Sequence, residues 1–417
     1  MDNSTFRIII VGGGIAGLAA AIALRKEGRN ILVLEKSRML GELGALISLQ
    51  PNASKIASSF GLDPFLQASK PVVDQEFRIL DIDGNIVQSI PSSASIYGAE
   101  RVVYHRQDLH LALRDAAIAK DRPGEPVKIQ TSAAVASCDP QAGTVTLQSG
   151  ETLEADLIVG ADGIRSAIRN SVLGSPVSSI PTGLSAYRIL IDSSTIPEEL
   201  PVSKDIFDIR RPATTMIMGH DRRVVCGPGR GFEKLGIVAL LPDDKLNEIS
   251  HSESWTTRGS LEKLLESFSD FPPWILQIFQ SAPDIALWQL RDLDPLEKWV
   301  EGRVILIGDA AHAMLPTQGQ GASQSFEDAE ALGAFFADIT GRPSLETVHS
   351  LLTQIFNARY ERATLIQGYS RQQARPATDK GSKRITLKSE EFMDYNCKYS
   401  GVKDWIARTV DKETISV

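Results

Sequence analysis

Gly12, Gly14 and Gly17 form a GxGxxG pattern directly after the apolar run of residues 8–11. Glycines at this spacing permit a tight turn, the close approach of the backbone to a pyrophosphate, and close packing of a helix on a strand. A second apolar run, residues 31–34, ends in Glu35, roughly 20 residues further on, where a carboxylate can accept hydrogen bonds from both ribose hydroxyls. The combination predicts a βαβ unit for an adenine dinucleotide rather than an isolated glycine-rich turn.

A second acidic residue, Asp309, follows the apolar run 304–307 and precedes the glycine-rich stretch 316–322. Its carboxylate can bind the hydroxyls of a polyol, and backbone N–H groups at a helix start can face a flat ring that becomes negative on reduction. A nicotinamide lacks a polyol and becomes neutral when it accepts a hydride, whereas a flavin has a ribitol chain and an anionic reduced form. The pattern favours FAD over NAD, and a purely structural turn is the alternative.

A third acidic residue, Asp162, follows the apolar run 157–159 and is itself followed by glycine. This position predicts the carboxyl edge of the sheet, where ligands bind in open α/β folds. Asp162 could instead only cap the next helix. Arg165 and Arg169 are then expected either at the solvated surface or against the phosphates of a visiting cofactor.

The elements that must position these residues divide the chain into interleaved parts. Residues 1–70, 100–175 and 295–340 carry the buried runs and helical patterns of the dinucleotide-binding domain. Residues 71–99 and 176–294 alternate between apolar and polar side chains, which predicts a mainly β substrate-binding domain inserted into the first.

The remainder, residues 341–417, is predicted to form a C-terminal helical region and a tail. A long helix is expected from about Leu345 to Gln372, followed by a charged segment that contains Phe392, Tyr395 and Trp405. We interpret this segment as a docked arm or a contact with a partner.

The composition of the 417 residues argues against several functions. A net charge of −8 without a basic stripe argues against a nucleic-acid partner. Cys138, Cys226 and Cys397 are too widely separated to indicate a disulfide framework or a metal site, and they suit a reducing compartment. Neither a signal sequence nor a run of ~18 apolar residues is visible. We expect a cytoplasmic monomer or homodimer without a membrane span.

The three motifs occur in this order and at such separations in single-component FAD-dependent aromatic hydroxylases, which residues 5–372 resemble. These are group A flavoprotein monooxygenases of the para-hydroxybenzoate hydroxylase fold, and the chain most resembles their salicylate hydroxylase-like fungal branch. The resemblance implies an α/β fold, in which a Rossmann-like FAD-binding domain carries an inserted mainly β substrate domain and a long C-terminal helix.

The same resemblance implies the reaction. An enzyme of this kind consumes NADPH or NADH and O2, and hydroxylates a phenolic or other electron-rich aromatic small molecule through a flavin C4a-hydroperoxide, in fungi within secondary metabolism. A flavoprotein epoxidase or indole oxidase, a flavin oxidase or dehydrogenase, and a non-catalytic flavin-binding protein are the alternatives.

The resemblance also assigns roles to individual residues around the cofactor. Asp162 is implied to serve both FAD and the passing pyridine nucleotide. The other implied cofactor-binding residues are Gly12, Gly14 and Gly17 at the pyrophosphate, Glu35 at the adenosine ribose, Ala45 and Arg106 beside the FAD, Asp309 at the ribitol, and Gly321 and Ala322 at the isoalloxazine edge.

Arg188 matches an arginine that several fungal members place beside the flavin and an anionic phenolate, and it is the one catalytic residue that we predict. A guanidinium in a partly desolvated pocket lowers the pKa of a phenol and orients it. The alternative is an ion-paired or surface arginine on a strand.

The chain departs from this pattern at two positions. Leu46 stands where many relatives have glycine, and we expect it to restrict movement of the flavin or to reshape the pocket. Gly227 stands where many have a tyrosine, so Tyr187 and His220 are the nearby candidates for an acid or base, although each is more often structural. His312, after Gly308-Asp309, is expected to serve packing rather than metal binding.

Overall fold

The computed structural model describes residues 5–38, 45–92, 94–246, 256–374 and 388–415. Gly44, which directly precedes Ala45, lies outside the described residues, as does the segment from 375 to 387 at the start of the tail.

Strands are found in chain order at β1 (Phe6–Val11), β2 (Arg29–Leu34), β3 (Leu46–Leu49), β4 (Val72–Asp74), β5 (Glu76–Leu80), β6 (Ile86–Pro91), β7 (Arg101–His105), β8 (Lys128–Gln130), β9 (Val135–Asp139), β10 (Thr144–Leu147), β11 (Thr152–Glu154), β12 (Leu157–Gly160), β13 (Ile180–Asp192), β14 (Ala213–Met218), β15 (Arg223–Gly229), β16 (Lys234–Pro242), β17 (Thr256–Arg258), β18 (Ile285–Asp292), β19 (Val300–Glu301) and β20 (Val304–Leu306).

Helices are found at α1 (Ile15–Leu24), α2 (Pro51–Ser59), α3 (Asp63–Ala68), α4 (Ala94–Tyr97), α5 (Arg106–Ile118), α6 (Ala167–Leu173), α7 (Leu261–Ser267), α8 (Pro273–Gln280), α9 (Asp309–His312), α10 (Gly321–Phe335), α11 (Leu345–Ala374), α12 (Ser389–Cys397) and α13 (Val402–Ile415). Short 3-10 turns lie at Ser193–Thr195, Asp243–Lys245 and Pro316–Gln318. Within the described ranges, no helix has both the length and the apolar character that crossing a bilayer requires.

The first sheet has the order β19-β20-β12-β1-β2-β8 and carries the predicted βαβ unit. β1 pairs in parallel with β2 and with β12, and β12 pairs in parallel with β20. Parallel strands are buried on both faces, which is why these strands read as continuous apolar runs. The sequence prediction of a βαβ unit is confirmed.

α1 leaves the sheet at a turn that two glycines make possible. A Cβ at Gly17 would lie 1.9 Å from the carbonyl oxygen of Gly12, so the helix can approach the loop only with glycine at this position. Gly12 itself has a φ of +107°, a conformation that L side chains rarely adopt. This close packing sets the N-terminus of α1 directly behind the carboxyl edge of the sheet.

The largest sheet has the order β17-β18-β13-β16-β15-β14-β5-β6 and comes mainly from the segment predicted as the substrate domain. On one face, residues such as Tyr187, Ile189 and Ile237 pack with α7 and α8 in an apolar core. Side chains alternate between the faces of a strand, so Arg188 and Val238 lie on the other face, where residues are half-buried. We call this second face the site face.

Residues of the dinucleotide-binding part contact the site face. Leu315 packs with Ala186 and Leu240, both of which lie on this face by register. A third sheet, β3-β7-β4, places Leu46 against the same face from β3, as described below. The site face therefore looks towards the dinucleotide-binding part rather than towards solvent.

The C-terminal arm, here residues 388–415, packs on the rest of the molecule. Phe392 stacks on Tyr369 of α11 with 3.7 Å between the ring centroids, and Tyr395 makes an edge contact with Trp405. The docked alternative for the tail is confirmed for the described residues of the arm.

Candidate active site

The sheet order brings the predicted acidic residues to one edge. β20, β12, β1 and β2 are neighbours and run in parallel, so the residues after their carboxyl ends lie side by side. Those residues are, in order across the sheet, Asp309, Asp162, the Gly12–Gly14 turn and Glu35. This edge is where open parallel sheets bind nucleotides.

Glu35 is fixed at this edge by backbone donors. Its Oε2 accepts a hydrogen bond from the N–H of Gly13 at 2.8 Å, and its Oε1 accepts one from the N–H of Ser37 at 2.7 Å. Burial by itself raises the pKa of Glu35, but the backbone hydrogen bonds from Ser37 and Gly13 outweigh it and the net shift is downward. The side chain is therefore a carboxylate beside the glycine turn, as a ribose-binding acid must be.

Open space adjoins two of the glycines that were predicted to lie beside the cofactor. A Cβ at Gly14 or at Gly321 would meet no atom within 4 Å, so packing within the protein does not explain glycine at either position. Gly14 precedes α1 and Gly321 begins α10, and neither helix start has a side-chain cap. Helix starts of this kind offer backbone N–H groups to phosphate or to an anionic ring edge. The residues fit a dinucleotide that also carries a flavin.

Asp162 caps α6, the alternative that its sequence position left open. Its carboxylate accepts hydrogen bonds from the hydroxyl of Ser166 at 2.5 Å and from the N–H of Ala167 at 2.7 Å. Arg165 is exposed, but the predictions of surface or phosphate contact for Arg169 are wrong. Arg169 is buried and donates to the carbonyl oxygens of Ala310, Ile164 and Val177, which come from three separate segments of the chain.

A buried carboxylate fixes the turn that carries Asp309. Asp328 of α10 accepts hydrogen bonds from the N–H of Gly308 at 2.9 Å and from Nε2 of His312 at 2.7 Å. Asp309 itself is exposed at the first position of α9. The prediction that His312 is a packing residue is confirmed, since its ring also lies 5.1 Å from that of Trp299. The described residues contain no cluster of His, Cys, Asp or Glu suited to a metal ion.

Ala45 and Arg106 are brought together by the third sheet. The N–H of Arg106 donates to the carbonyl oxygen of Ala45 at 2.9 Å, immediately beside the register pair of Leu46 and His105. Arg106 begins α5, and His110 on the same helix contacts the carbonyl oxygen of Gly13 at 2.7 Å. α5 thus joins the glycine turn to the strand that faces the second domain.

Arg188 is a desolvated cation on the site face. Its guanidinium lies over the indole of Trp288, with 4.3 Å from Cζ to the ring centroid. Burial, and then the nearby charge of Arg106, lower the pKa of Arg188 to about 10, so it stays protonated at neutral pH. Its Nε atom has no hydrogen-bond partner, and no carboxylate among the described residues acts on its pKa.

The two residues that were predicted to replace the tyrosine missing at position 227 do not reach the site face. Tyr187 is fully buried in the core on the opposite side of the sheet, because adjacent strand residues point in opposite directions. His220 is exposed in the turn between β14 and β15. Gly227 lies on the site face beside Thr214. The suggestion that Tyr187 could substitute is therefore wrong.

Leu46 occupies a notch in the site face. A Cβ at Gly236 would lie 2.5 Å from Cγ of Leu46, and one at Gly229 would lie 2.4 Å from its Cδ2 atom. Gly236 pairs with Leu190, two residues along from Arg188. The larger side chain is thus accommodated by two glycines, and it fills space directly beside Ala45 and Arg106.

Two features of the site escaped sequence reasoning. Trp288 lies in β18, a strand that was not predicted, although the alternation in residues 285–290 was a usable signal. A buried ionic network joins Glu327 and Asp328 of α10 to Arg359 and Arg362 of α11. No local sequence pattern indicates this network, because its partners are about thirty residues apart and charged residues at helical spacing usually face solvent.

Comparison with known proteins places this geometry in a family. Residues 103–348 match the FAD binding domain family, and residues 10–48 match the NAD(P)-binding Rossmann-like domain family. The chain is 32% identical over 404 residues to hispidin-3-hydroxylase of Neonothopanus nambi, covering 94% of this chain and 93% of that protein.

Two further proteins show the same relationship. The 3-hydroxybenzoate 6-hydroxylase of Klebsiella oxytoca is 31% identical over 341 residues, or 80% of this chain and 81% of that protein. Among solved structures, a salicylate hydroxylase substrate complex superposes with a TM-score of 0.77 at 27% identity, covering 96% of this chain and 97% of that one. The similarity extends over nearly the whole chain.

Proposed function

This chain belongs to the FAD-dependent monooxygenases with the FAD binding domain found at residues 103–348, and we propose that it hydroxylates a phenol that it binds as an oxyanion. The observation that carries the proposal is Arg188, a desolvated guanidinium on an otherwise mostly apolar face. Hispidin, 3-hydroxybenzoate and salicylate are the compounds named for the relatives, and all are oxygenated aromatic molecules.

The residues at the carboxyl edge supply the cofactor site in this proposal. Glu35 holds the adenosine ribose, the Gly12–Gly14 turn and the N-terminus of α1 hold the pyrophosphate, and Asp309 holds the ribitol. Ala45 and Arg106 flank the cofactor on the β3–β7 side. When bound, FAD accepts a hydride from NADH or NADPH and activates O2, which supplies the oxygen atom that reaches the ring.

The start of α10 and the site face enclose the place of reaction. Gly321 and Ala322 present backbone N–H groups, which stabilise negative charge on the ring edge of the cofactor. Asp162, at the carboxyl edge of the first sheet, serves the cofactor in addition to capping α6. Leu315 and Leu46 pack from the cofactor side onto the site face, so that solvent is excluded between them.

Arg188 acts on the substrate. A fixed positive charge in a partly desolvated site lowers the pKa of a bound phenol, and its phenolate form is the more electron-rich ring. Trp288 holds the guanidinium flat, which orients the oxyanion relative to the start of α10. An alkene or a neutral indole has no oxyanion for this cation, so aromatic hydroxylation fits the site better than epoxidation or indole oxidation.

A rapid-reaction experiment tests the proposal. The purified protein, loaded with FAD, is mixed under anaerobic conditions with NADPH or NADH in the presence of phenols, hydroxybenzoates, and matched O-methyl ethers. We expect a phenol to speed flavin reduction and, under an atmosphere of isotopically labelled O2, to gain a labelled oxygen atom. Its O-methyl ether should do neither. Reduction by the substrate alone, without NADPH or NADH, would identify an oxidase or dehydrogenase instead.

A further inference from the structure

The loop that leads into α10 is held between α11 and the C-terminal arm. The hydroxyl of Thr317 donates to the carbonyl oxygen of Ser370 at 2.7 Å, and Nε2 of Gln318 donates to the hydroxyl of Ser370 at 3.3 Å. From the other side, Nδ2 of Asn396 in α12 donates to Oε1 of Gln318 at 3.2 Å. The arm therefore contacts the turn directly before Gly321.

A buried arginine makes a second connection between the arm and α10. Arg362 of α11 is fully buried and donates from Nη1 to the carbonyl oxygen of Tyr395 at 2.8 Å, and from Nη2 to that of Asn396 at 3.0 Å. Its Nε and Nη2 atoms also bind the carboxylate of Glu327 in α10, at 2.7 and 2.8 Å. If the arm moved away, two donors of a buried charge would lose their acceptors.

The contact continues from Glu327 to the first residues of α10. Nδ2 of Asn52 donates to Oε1 of Glu327 at 2.6 Å and to Oε1 of Gln320 at 3.2 Å. Gln320 is buried and directly precedes Gly321. A continuous set of polar contacts thus runs from the arm, through Arg362 and Glu327, to the helix start that faces the cofactor in the proposed site.

The arm is seated by contacts that leave it little freedom. The guanidinium of Arg362 lies 4.5 to 5.0 Å from the ring centroids of Tyr395, Tyr399 and Trp405. Glu330 of α10 accepts a hydrogen bond from the N–H of Val402 at 2.8 Å, at the start of α13. α13 is therefore bound directly to α10, and α12 is bound to it through Arg362.

We propose that Asn396 and Arg362 are positioning residues, through which the C-terminal arm sets the position of the Gln318–Gly321 turn and hence the affinity and reduction potential of the bound FAD. The inference rests on the proposed function, because it takes the start of α10 to face the flavin ring. A displaced helix start gives weaker N–H contacts to that ring and stabilises its negative, reduced form less.

The hydrogen bond between Asn396 and Gln318 gives the sharpest test. Asn396→Ala, Gln318→Ala and the double variant are prepared as apoprotein, and FAD affinity is measured from the quenching of flavin fluorescence. We expect Asn396→Ala to raise the Kd about fivefold, as the loss of one neutral hydrogen bond does. Gln318→Ala also loses the hydrogen bond to Ser370, so its Kd should rise further, and the double variant should match Gln318→Ala because both lack the Asn396 contact. The midpoint potential of the bound flavin should become more negative in all three.

A matched control lies on the same arm. Asp404→Asn removes an exposed ion pair with Arg408, 2.9 Å long, and should change neither the Kd nor the potential. If Asn396→Ala does not fold, Gln318→Ala tests the same bond from the side of the loop. Additive effects of the two substitutions on the Kd, or an unchanged Kd and potential in folded variants, would overturn the inference. The proposed function would still stand in that case, provided that the native protein binds FAD. Native protein that binds no FAD would overturn both.

Discussion

The guanidinium of Arg188 stacks on the indole ring of Trp288, at 4.3 Å from Cζ to the ring centroid, and no carboxylate among the described residues acts on its pKa. A cation that is removed from water without a counter-charge is costly to a folded protein. Stacking on an aromatic face offsets only part of that cost. The arrangement is explained if an anionic ligand completes it.

Removal of this charge should impair catalysis without loss of cofactor. For Arg188→Ala we expect kcat/KM for a phenolic substrate to fall roughly 10- to 100-fold, the effect of losing one charge-assisted hydrogen bond. Without the cation the pKa of the bound phenol rises, so the pH profile of kcat/KM should shift to higher pH. Steady-state kinetics across pH and the flavin content measure both effects. Arg258→Ala, an exposed residue of the same sheet, is the control, and unchanged product formation by Arg188→Ala would remove this residue from the site.

Asp309 should matter for cofactor retention and not for folding. Its side chain is exposed at the carboxyl edge of β20, so Asp309→Ala should change the stability of the apoprotein by no more than about 0.5 kcal/mol. The FAD affinity should fall at least tenfold and the purified protein should be colourless, because a polyol loses its carboxylate partner. Absorbance spectra and thermal unfolding of apoprotein separate the two effects. Stoichiometric yellow cofactor in the variant would contradict the assignment, and Asp338→Ala serves as an exposed acidic control.

The sequence predicted correctly which residues share one edge of the first sheet, because each strand and the turn after it are adjacent in the chain. The apolar runs at 8–11 and 157–159 are parallel strands buried on both faces, and each is followed at once by its turn. Once such strands pair in parallel, residues after their ends must share an edge. Glu35, Asp162 and Asp309 therefore came together without knowledge of any long-range contact.

The sequence could not show in the same way which residues of the second domain face the site. The alternating pattern of β13 separates Arg188 from Tyr187, but only the docking of α7 and α8 shows which of them faces the site. Arg169 and Arg362 are buried because carbonyl groups and carboxylates from distant segments surround them. An isolated sequence assigns such arginines to the surface, where most arginines lie.

Leu46 and Gly236 should show strong energetic coupling. The backbone of Gly236 would tolerate alanine, but its Cβ would lie 2.5 Å from Cγ of Leu46, so Gly236→Ala should cost roughly 1–3 kcal/mol. Leu46→Ala removes the obstructing atoms, and the double variant should be more stable than Gly236→Ala alone. Urea unfolding of the three apoproteins measures this cycle. Leu46→Ala should also raise the relative kcat/KM for bulkier phenols, and Leu46→Met, which conserves volume, should not. Additive stabilities would show that the two residues do not share the notch.

Asp328 should make stability depend on acid pH. Burial by itself raises the pKa of this carboxyl, but the charges of His312 and Arg359 and the hydrogen bonds from His312 and the Gly308 N–H lower it to about 2. The folded pKa lies below the ordinary aspartate value of 3.8, so the contribution of Asp328 to stability is complete above about pH 4 and is lost as the pH falls towards 2.

Asp328→Asn tests this dependence, since it keeps the shape of the side chain and removes its titration. We expect the variant to lose about 3 kcal/mol at pH 7, because Arg359 is left with less compensation in a buried position. Between pH 4 and pH 2.5 its stability should fall less steeply than that of the native apoprotein, as measured by urea unfolding at each pH. The exposed Asp338→Asn variant should follow the native curve. Parallel native and Asp328→Asn curves would mean that this carboxylate does not govern acid stability, and that other buried carboxylates such as Glu327 do.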